Sequence, residues 1–195
     1  MNTTGSANSK SELTADLKIA LGYWRALGGE SLSCNWRQFD FLKIPTHLLP
    51  TTMVVDVHPD MDGNIYRFWG TMMTRIHGRD MTGQSPYDLE PADLARSARK
   101  VHAEIIEKRT WNSVIHTFIR HSGVKHRHCA LRLPLSDDGQ TISHLVVVVD
   151  VSIADPKDRR GRSPPLPFNR VRGPKTAMYL LAFLASIQLI SNYRL

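Results

Sequence analysis

Histidine and cysteine are the side chains in this sequence best suited to chemistry, and their spacing decides what chemistry is open to them. His121, His126, His128 and Cys129 form the densest metal-like group. Residues two apart on a strand share a face, so His126 and His128 could reach one ion. Tetrahedral zinc usually needs three or four ligands, and Lys125, Arg127 and Arg132 are interleaved with these, which disfavours a cation. A solvated strand face or hairpin end is therefore expected, and no metal site. Cys34 has only Arg37 as a nearby charge, and a reactive thiol needs its pKa lowered, so an ordinary thiol is expected. Gly78-Arg79-Asp80 reads as a structural turn. No Gly-rich phosphate loop, Ser/His/Asp pattern or catalytic carboxylate pair stands out, so the expectation is no catalytic residues and no enzyme.

The elements that must position these residues follow from periodicity. Ser11 or Thr14 can cap a helix running to about Leu27. In it Leu13, Leu17, Ala20, Leu21, Trp24 and Leu27 recur at spacings of three and four, and Gly28-Gly29 stops it. Phe39 to Leu49 is a short apolar helical or turn region. Strands are expected over 52–57 and 64–71, joined by the Asp60-Met61-Asp62-Gly63 turn. Residues 76–89 read as short helical turns. Pro91 opens a longer helix carrying Leu94, Ala98, Val101 and Ile105 on one face and ending near Lys108-Arg109. Strands follow over 112–120, 125–133 and 142–151, the last holding the run Val146-Val147-Val148-Val149. Strands and helices do not alternate as a parallel sheet requires. The expected class is α+β, with a five-stranded antiparallel sheet, helices on one face, an N-terminal amphipathic helix and a C-terminal helix.

Charge divides the 195 residues further. The chain carries 25 basic and 18 acidic side chains, a net charge of +7. Up to Pro156 the two signs balance at 17 each; from Lys157 to Lys175 seven basic residues face one acid, Asp158. Five of the eleven prolines lie in the same region, which reads as an extended linker. The expected organisation is a disordered 1–11, a domain over 12–155, a basic Pro-rich linker over 156–175 and an apolar helix over 176–195. Two cysteines exclude a disulfide-stapled scaffold, and the polar N-terminal residues are unlike a secretory signal, so a cytoplasmic setting is expected.

This order, with particular residues, resembles a PAS domain. It is most similar to a bacterial family of small PAS proteins in which the domain is nearly the whole chain. The resemblance rests on Tyr23-Trp24-Arg25 with Gly28-Gly29, Ile44-Pro45, Leu48-Leu49-Pro50, and Met53-Val54-Val55-Asp56-Val57. It continues through Tyr66-Arg67-Phe68-Trp69-Gly70-Thr71 and Gly78-Arg79-Asp80-Met81-Thr82-Gly83 to Leu131-Arg132-Leu133-Pro134-Leu135-Ser136 with Gly139. It covers roughly 20–152. The resemblance implies a sensory or regulatory module in signal transduction, binding a small ligand or a signalling protein. It also implies a pocket between helices and sheet, for which Trp69, Met72, Met73, Tyr87, Leu94, Val101, His102 and Ile105 are the candidate lining. Haem-binding relatives take a histidine ligand from the region of His102. A haem or flavin is open but not indicated, and the cofactor is unknown. A partly buried helix-edge histidine and a dry core are the plainer alternatives.

A homodimer is expected through Leu13, Leu17, Leu21 and Trp24, whose stripe would otherwise leave an exposed apolar face. The apolar C-terminal segment, from Ala177 to Ile190, is shorter than the roughly 20 residues a membrane span needs. With the basic linker before it, it suits a membrane surface, a helix docked on the domain or a partner-binding helix. A basic-tailed adaptor for nucleic acid or a membrane surface is the alternative function.

Overall fold

The computed structural model describes residues 12–32, 34–119 and 125–153. The expectations for 1–11, 156–175 and 176–195, and the position of His121, lie outside the described residues.

Helix α1 (Ala15–Ala26) starts at Thr14, whose hydroxyl oxygen accepts from the Leu17 amide and donates to Asp150 Oδ2 at 2.6 Å. Gly28, at φ 79°, turns the chain out of it. Four short 3₁₀ turns follow, ending with Thr46–Thr51. They lead into β1 (Thr52–Asp56) and β2 (Ile65–Trp69). β2 stops two residues before the expected end because Gly70 opens a helix, α2 (Thr71–His77), where a strand end and loop were expected. A Cβ on Gly70 would sit 2.4 Å from the Pro50 carbonyl oxygen and 2.7 Å from that of Thr52, so only glycine lets the chain turn here against this backbone. Helix α3 (Ala92–Lys108) begins after Pro91, and β3 (Asn112–Ile119), β4 (Lys125–Leu135) and β5 (His144–Asp150) follow it.

The five strands form one antiparallel sheet in the order β2-β1-β5-β4-β3. The β5 valines place it at the centre, as expected. Register fixes which side chains share a face. Met53, Val55, Tyr66, Trp69, His116, Phe118, His128, Ala130, Arg132, Leu145 and Val147 lie on the inner face, in register with one another. Against it pack Met73 and Ile76 of α2 and Leu94, Val101 and Ile105 of α3. The helices between β2 and β3 thus take one face, as the sequence predicts.

The other face is apolar too. Val54, Val146, Val148, Leu131, Leu133 and Leu135 are all at most 0% exposed, and α1 lies against β4 and β5. Trp24 donates its indole N–H to the Pro134 carbonyl at 2.8 Å and is itself fully buried. This corrects the expectation that the stripe of Leu13, Leu17, Leu21 and Trp24 is left as an exposed apolar face. All four are buried within the chain, because the sheet offers them a second apolar face. Among the described residues no helix is long and apolar enough to cross a membrane.

Candidate functional site

Between the inner face of the sheet and α3 lies a cavity of about 40 Å³, room for about three water molecules. Pockets for drug-sized ligands run to about 300–1,000 Å³, so in this conformation the space is far smaller than a haem or flavin. Four of the candidate residues line it: Trp69, Met73, Leu94 and His102. Met72, Tyr87, Val101 and Ile105 do not. Val101 and Ile105 belong to the packed core beside the cavity, Met72 rests partly buried against that core, and Tyr87 stands behind His102. The Tyr87 hydroxyl accepts from Asn64 Nδ2 at 2.9 Å and lies 3.5 Å from His102 Nδ1.

His102 is 2% exposed, and its pKa is pushed down to about 3, first by burial and then by the positive charge of Arg132. It is a neutral imidazole at the cavity wall.

The sequence reading missed the polar part of the lining: Tyr66, His77, His116, His128 and Arg132. Arg132 is 6% exposed. It donates from Nη2 to His116 Nε2 at 3.0 Å and from Nη1 to the Ala130 carbonyl at 3.5 Å, and its buried Nε has no hydrogen-bond partner among the described residues. Because guanidinium only donates, His116 Nε2 must be the acceptor, which places the His116 proton on Nδ1. Burial, reinforced by Arg132, pushes His116 down to about 3. Burial also holds His128 well below the ordinary histidine value, with neighbouring rings adding to the effect. Arg132 is itself lowered by burial to about 10, so it keeps its charge at neutral pH. The buried Trp69 Nε1 and His128 Nδ1 likewise lack partners among the described residues. A lone cation among neutral rings is costly in an apolar interior.

The metal-like cluster resolves differently from the sequence reading. His126 and His128 do share a face, with ring centroids 5.2 Å apart. That face is the buried inner one, at 1% and 3% exposure, and not a solvated strand face. Cys129 points to the opposite side, since it pairs with Asp150 and Ile115 on the outer face. Among the described residues no group of three metal-ligating side chains converges. Cys34 is buried, and burial pushes its thiol up to about 11, so it is not an activated thiolate. Gly78-Arg79-Asp80 is structural: Gly78 ends α2 at φ 81°, Arg79 donates to the Asp88 carbonyl, and Asp80 Oδ1 accepts from the Thr82 amide at 2.8 Å.

Strand order 2-1-5-4-3, with helices between β2 and β3 covering one face, defines a PAS-like fold. Among solved structures, the chain is similar to the PAS domain of a protein from Colwellia psychrerythraea. That match has 12% identity and a TM-score of 0.41, and covers 57% of this chain and 97% of that one. It is similar to the Rhodobacter sphaeroides LOV protein at 15% identity and a TM-score of 0.41, covering 70% of this chain and 72% of that one. VqmA bound to DPO matches at 13% identity and a TM-score of 0.43; the match covers 51% of this chain and half of that chain. No family model matches the sequence, and no curated protein does.

Proposed function

We propose that the chain is a PAS-type sensory and regulatory module whose cavity between the sheet and α3 receives a small molecule, with a protein partner or a second copy as the outlet of the signal. One observation carries this reading. The cavity wall holds buried hydrogen-bonding groups, Arg132 Nε, Trp69 Nε1 and His128 Nδ1, that nothing in the described residues satisfies. Buried polar groups are nearly always paired in folded proteins, so three without a protein partner at one cavity favour a bound polar molecule or ordered water there. A core that served packing alone would carry apolar residues at these positions.

The test is to purify the full chain, denature it and identify by mass spectrometry any small molecule it releases. The comparison is Ala98→Leu, which fills space at a cavity-lining position of α3. The reading expects a stoichiometric molecule from the wild-type chain and its loss from A98L. If neither releases a molecule and A98L behaves like wild type towards every ligand tried, the reading fails.

A further inference from the structure

The chemistry of the wall says more than that a molecule binds, and the following rests on the reading above. We propose that the cavity takes a small carboxylate with a short aliphatic tail, its carboxylate held by the guanidinium of Arg132 and the indole N–H of Trp69.

The cavity is lined by two unlike sets of side chains. Of its polar groups without partners among the described residues, Arg132 Nε and Trp69 Nε1 are donors, while His128 Nδ1 donates or accepts according to its tautomer, and an arginine side chain has no acceptor at all. Among the described residues Arg132 donates two hydrogen bonds, to His116 and to the Ala130 carbonyl. The charged partners acting on Arg132 are the side chains of Tyr66 and Cys129, neither of them a carboxylate, and burial pushes the Tyr66 phenol up so that it stays neutral. The anion that would balance this cation therefore has no source in the described residues. A guanidinium with an open edge matches a planar carboxylate better than any other common anion.

Beside the polar side chains already named, the wall includes the apolar Met53, Met73, Leu94, Ala98 and Val147. Inorganic anions gain nothing from such a surface, whereas a short hydrocarbon tail does. The volume of about 40 Å³ limits the ligand to the smallest aliphatic carboxylates. A competing way to satisfy Arg132 exists inside the chain. Asn112 is its cross-strand partner on β3, and the Asn112 Oδ1 is also buried without a partner.

The test uses the full chain with sodium propionate and sodium butyrate as probes, at ionic strength matched with sodium chloride. Propionamide serves as the uncharged isostere and sodium phosphate as the tailless anion. Two readouts are followed: the melting midpoint and the arginine Nε–H and tryptophan indole N–H resonances. The expected result is a saturable rise in midpoint with propionate or butyrate, with one Arg Nε–H and one indole N–H resonance shifting at the same concentration. Propionamide and phosphate should bind at least tenfold more weakly. Arg132→Met keeps the volume and removes the charge, so the variant folds and its response should vanish. Trp69→Phe should weaken binding several-fold, and Asn112→Ala should leave it unchanged.

Propionamide binding as tightly as propionate, phosphate binding as tightly, a response retained in R132M or lost in N112A would each overturn the proposal. So would the absence of any response to propionate and butyrate. If the wild-type chain then still releases an uncharged molecule that A98L does not, the sensory reading stands and only the carboxylate assignment falls. If it releases nothing, both fall.

Discussion

Arg132 Nη2 donates to His116 Nε2 across 3.0 Å, and both residues are buried on the inner face of the sheet. The pair is a cation resting on a neutral imidazole, not an ion pair. That relationship sets both the energetics of the cavity and its response to pH.

Replacing the cation with an apolar side chain of similar length should stabilise the empty protein. Desolvation of a charge without a counter-ion costs several kcal/mol, and apolar replacement of buried charged groups has been neutral or favourable by about 1–4 kcal/mol. Arg132→Met is therefore expected to raise the urea midpoint of the ligand-free chain. A fall in midpoint of comparable size would mean that the guanidinium already has a stabilising partner.

Acid should unfold the protein earlier than its carboxylates alone would require. His102 and His116 have folded pKa values pushed down to about 3, against about 6.5 in an unfolded chain. Between those values the unfolded state binds more protons, so stability is complete above about pH 6.5 and is lost as pH falls. The loss between pH 6.5 and 5 is on the order of 2 kcal/mol per histidine. Urea titrations at pH 7.5, 6 and 5 measure it, and His102→Leu should flatten the dependence. A wild-type profile that is level over this range would show the rings to be protonated in the folded state.

Two glycines should respond in opposite directions to the same change. A Cβ at Gly70 meets backbone oxygens at 2.4 and 2.7 Å, which cannot swing away, so Gly70→Ala is expected to cost about 1–3 kcal/mol. Gly22 lies inside α1 with nothing within 4 Å of a built Cβ, so Gly22→Ala is expected to add up to about 1 kcal/mol through helix propensity. Thermal denaturation of the two variants beside wild type decides the matter; equal shifts would contradict the packing described.

The apolar stripe of α1 should govern stability and not association. Leu17 is 0% exposed, and Leu17→Ala is expected to cost about 2–5 kcal/mol. Its sedimentation coefficient at a fixed, folded concentration should equal that of wild type. A dimer in the wild type that L17A dissolves while remaining folded would restore the stripe to an interface.

Much of the fold was legible because its signals are local. The Asp60–Gly63 turn, the valine run of β5, and Pro91 before α3 each mark an element by residue type. The missing helix α2 shows the limit. Thr71 to His77 is only seven residues long, too short for a helical period to emerge, and its start is fixed by what crowds Gly70 from elsewhere in the chain. The site was half legible for a related reason. β4 is covered on both sides, so Leu131, Leu133 and Leu135 are as buried as Arg132 and His128. On such a strand alternation says which residues share a side, but not which side encloses the cavity. Charge then argued for solvent at Arg132 and His128, and that argument fails where polar groups face an internal space. The α1 stripe was read as needing cover, correctly, but the cover lies in the same chain.

Pro134 sits two residues from Arg132 on β4, and its carbonyl holds the Trp24 indole on the far side of the sheet. Two peptide planes therefore separate the cavity wall from the anchor of the first helix, and the proline ring stiffens the second of them. A shift of β4 at Arg132 would therefore be carried to the seat of the first helix, linking the two faces of the sheet through one strand.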